Sequence, residues 1–492
     1  MSAERKSTLS PEAIAIGKRI KGLRDFLALL DENGQLAVWE EEVLPEPDIR
    51  NISFAAGRDA MNGPAVLLNN IKGYPDKQVV VGVHGSFTNL ALLVGQPKGT
   101  SVKELFYEMV NRWGSDEPLI DRVSPARAPV HGNRVEDAVN LYELLPLYRI
   151  NEYDGGFYID KSNVVSRDPS DPDDFGKQNV GIYRIQVHGP DIFSLDSVPS
   201  HDMGQHIRIA EQENAALNIA VMIGNHPAMA MFAATPVNYD ESEYAYASQM
   251  MGAPLQLTKS GNGLDILANS EMVIEARMIN NERILEGPFG EFPGTYSGVR
   301  RLNVFKVTAV SFRDAPIFES LYIGSKSWTE HDTLVGINVC ATVYNQLKPS
   351  FPEIVAVNAL YQDGMTAVIA VKNRFAGFAK SVALRALGSP HGLMFLKNLI
   401  MVDSDIDPFD INQVIWSLSN RTRADDIVIL PNMPLCDADP SAEIGGKGHR
   451  LIIDATAYMP PDKISVNNNL VESPTGAVVD ELERIINELR KK

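Results

Sequence analysis

The sequence predicts a multidomain chain of α/β and α+β character whose centre is a partly closed barrel. Three observations carry this. From 179 to about 318 strand-like segments dominate, at 179–187, 219–223, 228–234, 254–259, 271–278 and 302–312, with helical patterns only at 202–213 and 241–250. After about 319 strand-like runs at 367–371, 399–402 and 427–430 alternate with helical patterns at 374–388 and 410–418, which is α/β texture. Neither G-x-G-x-x-G nor G-x-x-x-x-G-K-[ST] occurs, so a doubly wound nucleotide-binding sheet lacks its usual support. The 492 residues allow roughly three domains of ordinary size. The texture changes divide them as 1–115, 116–318 and 319–492.

Each part has its own signals. Residues 1–10 read as a loose tail. Pro11 opens a helix carrying Ile14, Ile20, Leu23, Phe26, Leu27 and Leu30, which Asn33-Gly34 ends. Residues 35–40 read as a strand, and 65–68 and 79–83 are short apolar runs beside glycine and proline. Ser101 and Glu104 form a capping box ahead of Leu105, Phe106, Met109 and Val110. Residues 116–178 are rich in Pro, Asp, Asn and Gly, with 141–147 as their apolar anchor. The run SRDPSDPDDFGKQN is a loop up to its last residue, either bordering a pocket or a plain surface excursion. Near the end, 445–448 is a Gly-rich loop and 450–454 a strand. A helix over 477–489 collects Val478, Leu482, Ile485, Ile486 and Leu489 on one face, suited to a subunit interface or to the chain's own core.

Composition bounds the function. With 45 basic and 63 acidic residues the formal net charge is −18, which argues against nonspecific binding to nucleic acid or to an anionic membrane. Two cysteines, Cys340 and Cys436, make neither a disulfide framework nor a CxxC zinc site, and fit a reducing compartment. No run approaches 18 apolar residues and no signal-peptide core follows the N-terminus, so a soluble cytoplasmic protein is expected.

The chemistry concentrates between Asn179 and Gly294. The segment NVGIYRIQV alternates as a strand, with Val180, Ile182 and Arg184 on one face. An arginine on an apolar face needs an anion or an exit to water. LEGPFGEFPG places Glu286 and Glu291 five apart in a Gly-Pro turn. Two carboxylates near one arginine would hold a charged group and a proton donor with coupled titration, suited to protonating a carbon centre. A surface turn with two ordinary glutamates is the alternative. Asn179, His206 and Glu243 offer an amide, an imidazole and a carboxylate, suited to Mn or Mg. Each could equally be structural or exposed.

These motifs resemble the UbiD family of reversible decarboxylases, which use prenylated flavin mononucleotide. The likeness rests on NVGIYRIQV, QHIRIAEQ, NSEMVIEA, LEGPFGEFPG and VDSDIDPFDINQVIWSLSNR, and covers nearly the whole chain. It implies a small N-terminal α/β domain, a flavin-binding split β-barrel and a C-terminal α/β oligomerisation domain. It implies Mn2+ (or Mg2+) held by Asn179, His206 and Glu243 at the cofactor phosphate, with K+ nearby and Glu271 as a competing carboxylate. Arg184, Glu286 and Glu291 match the acid set, with Glu286 as proton donor. Gln205, the segments at Ile182-Tyr183 and Ala234-Thr235, and Lys397 would border the cofactor; His391 has no assigned role.

The likeness is greater to the phenolic-acid branch, through PLYRINEYDGGFYIDK, DPDDFGKQNVGIYR and the residues around Trp328-Thr329-Glu330-His331. It implies release of CO2 from 4-hydroxybenzoate, vanillate or protocatechuate, with His331 meeting the substrate hydroxyl or else structural. Lys372 matches a family position but reads equally as a solvated edge charge. Other expectations are a homodimer or homohexamer and a cofactor made by a flavin prenyltransferase. Phenazine-1-carboxylate, pyrrole-2-carboxylate and a noncatalytic cofactor-binding role are the alternatives.

Overall fold

The structure, a computed structural model, describes residues 9–459 other than 115, 116, 200, 236, 394 and 444, together with residues 470–490 other than 472, 473 and 475. Most of the expected N-terminal tail, residues 1–8, lies outside the described residues.

The N-terminal part is a four-stranded sheet in the order Leu36–Trp39, Ala65–Leu68, Gln78–Val81 and Ile317–Glu319. Its fourth strand comes from the far end of the central part, so the two parts are stitched together. The helix expected over residues 11–33 is two helices, Pro11–Arg19 and Leu23–Glu32. The break falls at Gly22, whose backbone lies so close to Asn269 that a Cβ there would sit 2.9 Å from that side chain. Ser101 and Glu104 form the expected capping box on Val102–Arg112.

The central sheet has nine strands. Eight follow the order Phe157–Ile159, Ile185–Gly189, Ile192–Leu195, Arg300–Phe312, Met272–Glu286, Asn218–Ile223, Asn163–Arg167 and Gln178–Ile182, and Asn133–Val135 pairs outside that path with Arg300–Phe312. The expected single strand over 179–187 is therefore two strands on distant positions of the sheet. In a flat sheet they would stand six strand spacings apart, roughly 29 Å. The three Cα steps from Ile182 to Ile185 span at most about 11 Å. The sheet must curl until its ends nearly meet, which makes a split barrel with Tyr183 and Arg184 bridging the seam. Its interior is packed by Tyr158, Ile185, Val187, Phe193, Ile274, Phe305 and Val307.

Residues 228–234 are not a strand. Pro227 opens a short helix, Pro227–Ala233, and the His226 side chain accepts the N–H of Ala228 at its start. The helices Asp202–Glu213 and Glu243–Met251 form as expected. One helix the sequence pattern hid is Glu330–Leu347, capped by Thr329 and Asp332. It is apolar on nearly every side and runs through the large core that joins the N- and C-terminal parts. A helix buried all round carries no amphipathic stripe.

The C-terminal sheet has the order Ile354–Tyr361, Thr366–Val371, Asn398–Asp403, Lys447–Ala455 and Ile427–Pro434. Its middle three strands are parallel and its edges antiparallel. Helices Phe378–Leu387 and Ile411–Arg421 lie between them in sequence, as α/β alternation requires. The helix Gly476–Arg490 has no buried residue. Among the described residues no helix is long and apolar enough to cross a membrane.

Candidate active site

Arg184 stands at the seam with its side chain 8 % exposed. Its guanidinium grips Glu286 through two hydrogen bonds, Nε to Oε1 at 3.0 Å and Nη2 to Oε2 at 2.8 Å. Nη1 meets Glu291, and Nη2 lies 3.1 Å from Asp196. The fork geometry suits a carboxylate plane better than a lysine could. Glu286 is the last residue of Met272–Glu286 and Glu291 lies in the turn beyond it, so strand and turn both face the seam. The Tyr158 hydroxyl donates to Glu286 Oε1 at 3.0 Å. The turn is held close by Gly155, whose N–H donates to Pro288 O at 2.7 Å and whose Cβ, if present, would meet Gly287 O at 2.1 Å.

Burial works against the Arg184 charge, but Asp196 and then Glu286 outweigh it and hold its pKa up. Burial first, then Glu286, pushes the Tyr158 phenol upward, so it stays a donor. Three carboxyls share one guanidinium here.

A second cluster lies along the strand pair Asn163–Arg167 and Gln178–Ile182. Ser166 Oγ is 2.9 Å from His206 Nδ1, and Asn179 Nδ2 donates to it at 3.4 Å. Glu243, the first residue of its helix, accepts the N–H of Val180 at 2.8 Å. Asn179, His206 and Glu243 are thus all anchored to one strand pair. His206 Nε2 is buried without a partner. Burial pulls the imidazole down to about 4, so it is neutral at pH 7, and burial pushes the Glu243 carboxyl well up. A buried imidazole nitrogen without a partner and a carboxylate costly to ionise are what a divalent cation would relieve. The residues fit such a cation. Among the described residues no group of three or more His, Cys, Asp or Glu could hold a metal, and this set has two of those types plus an amide. Glu271 is not part of it. It is fully buried, gripped by Arg24 at 2.8 and 2.7 Å, and ties the N-terminal helix Leu23–Glu32 to the sheet.

Comparison with known proteins gives this geometry a context. Residues 121–326 match the 3-octaprenyl-4-hydroxybenzoate carboxy-lyase Rift-related domain, 27–109 its N-terminal domain and 332–455 its C-terminal domain. The chain is 44 % identical over 454 residues to a phenolic acid decarboxylase of Bacillus subtilis, covering 92 % of this chain and 95 % of that one. The chain belongs to the UbiD family. Its fold is shared with the vanillic acid decarboxylase of Sedimentibacter hydroxybenzoicus in closed form, at TM-score 0.89 and 43 % identity over 96 % of this chain and 99 % of the other. It is also shared with the UbiD-class enzyme HmfF of Pelotomaculum thermopropionicum in complex with FMN, at TM-score 0.81 and 27 % identity over 94 % and 99 %. The chain is therefore an enzyme of the UbiD class of prenylated-FMN-dependent carboxy-lyases, a flavoprotein family.

Tyr183 folds back over Gly181, where a Cβ would meet its ring at 2.6 Å, and its hydroxyl accepts from Asn179 Nδ2 at 3.2 Å. Ile182 ends the strand at the seam, and Gln205 precedes His206 on Asp202–Glu213. Thr235 is buried, donating to Met231 O at 2.8 Å and accepting from Asn338 Nδ2 at 3.0 Å, and Ala234 caps the helix before it. Asn338 thereby links this region to the helix Glu330–Leu347. Lys397 pairs with Asp439 at 2.8 Å and Ser441 at 2.5 Å, inside the C-terminal domain. Lys372 is exposed.

His331 stacks on Phe292 with centroids 5.9 Å apart, one residue beyond Glu291. It therefore belongs with the carboxylate turn. His391 is buried and 2.9 Å from the Asp363 carbonyl.

Sequence reasoning missed Asp196, Tyr158, Ser166 and Asp168. Asp168 holds Tyr239, whose ring stands edge-on to His206 at 5.8 Å. The polar loop that follows Arg167 was the one signal for Asp168. Tyr158 lies in the PLYRINEYDGGFYIDK segment, but neither it nor Asp196 is marked as a partner of Arg184 or Glu286, because both reach the site through sheet curl.

Proposed function

We propose that this chain catalyses the reversible non-oxidative decarboxylation of a hydroxylated aromatic acid, 4-hydroxybenzoate, vanillate or protocatechuate, to the phenol and CO2. The observation that carries the reading is the buried Arg184–Glu286 fork with Tyr158 on its far side. The relatives of 43 to 46 % identity that bear the name phenolic acid decarboxylase support the substrate class.

Breaking the ring–carboxylate bond leaves its electron pair on a ring carbon, which must then take a proton. Prenylated FMN, when bound, supplies the electron sink that makes this departure accessible. The chain supplies the rest. Glu286 delivers the proton to the carbon that loses CO2. Arg184 and Tyr158 fix the Glu286 plane, and Glu291 and Asp196 let the set rebind a proton from water. Asn179, His206 and Glu243 would hold Mn2+ at the cofactor phosphate beside K+. Gln205, Lys397 and the segments at Ile182-Tyr183 and Ala234-Thr235 would border the flavin. His331 would meet the para hydroxyl, which pushes electrons into the ring. The exposed apolar face of Gly476–Arg490 supports a homodimer or homohexamer, and the cofactor would come from a flavin prenyltransferase.

The test is turnover by protein reconstituted without oxygen with Mn2+, K+ and prenylated FMN. Release of CO2 and the matching phenol from the small phenolic acids is the expected result. Turnover of phenazine-1-carboxylate alone would reject the substrate class and keep the chemistry.

A further inference from the structure

The turn Gln362–Gly364 carries a backbone that ordinary residues avoid. Gln362, Asp363 and Gly364 have φ of 49°, 54° and 82°, three consecutive residues in the left-handed region. For the two that are not glycine this conformation is costly, and it persists only where the surroundings impose it. The turn aims the Asp363 side chain at the helix Glu330–Leu347. Asp363 Oδ1 is buried without a hydrogen-bond partner and lies 3.9 Å from His331 Nδ1. That is just beyond hydrogen-bond length, so a small rotation closes it.

The site's other wall is near. His331 stacks on Phe292, which follows Glu291. Phe395 stands 6.5 Å from Phe292 and stacks on His391 at 5.0 Å, and the His391 ring is held by the Asp363 carbonyl. Asp363 thus fixes one histidine through its backbone and faces a second with its carboxylate. The charged and titratable groups around this pair are Asp332 on the same helix as His331, His391, Cys436 beyond Ile427–Pro434, and His201 from the barrel side. Burial pushes Asp363 up to about 7 and His331 down, so neither charge is favoured alone.

We propose that Asp363 is a positioning residue for His331: its carboxylate takes the Nδ1–H, turning Nε2, with its lone pair, toward the hydroxyl of a phenolic substrate. This rests on the phenolic-acid reading above. In the step, the substrate O–H bond breaks and an N–H bond forms at Nε2. The oxygen keeps the electron pair, and the resulting imidazolium faces the Asp363 carboxylate through Nδ1–H. The proton returns when product leaves. An oxygen so ionised donates more strongly into the ring than a neutral hydroxyl does.

The test is a cycle of Asp363→Asn, His331→Ala and the double variant in reconstituted holoenzyme with 4-hydroxybenzoate. Asparagine tolerates the left-handed backbone, so Asp363→Asn removes the charge and leaves the turn. The expected result is a fall in kcat of about tenfold with KM changed less than twofold and flavin retained, and no further fall when Asp363→Asn is added to His331→Ala. The second readout is 4-nitrophenol, which is coloured only as the phenolate. Bound at pH 6, it should show the phenolate band with the wild type and lose it in both single variants. Equal losses from Asp363→Asn in the two backgrounds, an unchanged band, or loss of flavin from Asp363→Asn would each overturn the proposal. If the wild type turns over no phenolic acid, the parent reading fails; if it does and the cycle shows no coupling, this proposal fails alone.

Discussion

Two clusters in this molecule have nearly the same composition, a cation between carboxylates, and opposite characters. Lys161 is fully buried between Glu319 at 2.8 Å and Glu330 at 2.5 Å. Glu330 also accepts the N–H groups of Gly82 and His84, both at 2.8 Å. The clip thus joins the N-terminal sheet, the barrel and the helix Glu330–Leu347 and is closed to water. Arg184 has a third carboxylate, Asp196, and partners at 13 and 19 % exposure. Carboxyls outnumber the cation in both clusters, two to one around Lys161 and three to one around Arg184. What separates them is access: the sealed cluster has no path to exchange with water, and the open one has. Under the proposed function that opening, not buried charge or its surplus, is what marks the Arg184 cluster as the site.

The widest gap between the two should appear on Glu286→Gln. It keeps the size and planarity of the side chain, leaves Arg184 one acceptor oxygen in place of two and removes the proton, so turnover should fall by about 10²–10⁴ while the flavin stays bound. Near-full turnover would put the Arg184 cluster in the same class as the Lys161 clip. Lys161→Met is the mirror experiment. Leaving two buried glutamates without their cation should cost about 3–5 kcal/mol of stability, read from denaturant unfolding, and a variant as stable as the parent would mean the clip is not structural. Glu243→Ala sits between them, since under the proposed function its side chain would serve a ligand rather than a proton. It should lower Mn2+ and flavin retention together, at least about tenfold by metal analysis and absorbance, and normal occupancy of both would remove Glu243 from the ligand set.

The smallest effect belongs to His226, a purely structural group at the start of Pro227–Ala233. Burial holds it near 4, while in the unfolded chain it titrates near 6.5. The unfolded state therefore binds the proton first as pH drops. Stability from this group is complete above 6.5 and is lost as pH falls toward 4. At pH 5 the loss is about 2 kcal/mol. His226→Asn, which still caps the helix, should flatten the pH dependence of Tm between 7.5 and 5. An unchanged slope would assign the acid sensitivity elsewhere.

Much of the fold is legible in the sequence. The helix Asp202–Glu213 and the capping box at Ser101 stood where the pattern put them, because both depend on neighbours in sequence. Arg184, Glu286 and Glu291 were legible as a set through their motifs, and the structure brings them together. What could not be read depends on partners distant along the chain. Residues 228–234 look like a strand because they are continuously apolar, yet Pro227 and its cap make them a helix. Glu330–Leu347 is rich in Thr, Val and Ile and is buried on nearly all sides, so it lacks the period that reveals a helix. Lys161 and Glu330 fall in segments that carry the family likeness, but nothing local shows that they meet each other and Glu319, and Asp363 has no local signal, since its character lies in its backbone angles.

The seam of the barrel bears on how this protein tolerates being cut or lengthened. Gln178–Ile182 and Ile185–Gly189 pair with different neighbours and need nothing from each other to stay in the sheet. A nick between Tyr183 and Arg184 would therefore leave every ladder formed. It would still free the arginine from the tyrosine side, and one added residue would let the guanidinium drift from Glu286. New termini or inserted tags placed there should yield a well-folded protein with an idle site, which makes this dipeptide a place to separate assembly from work by topology alone, with no side chain altered.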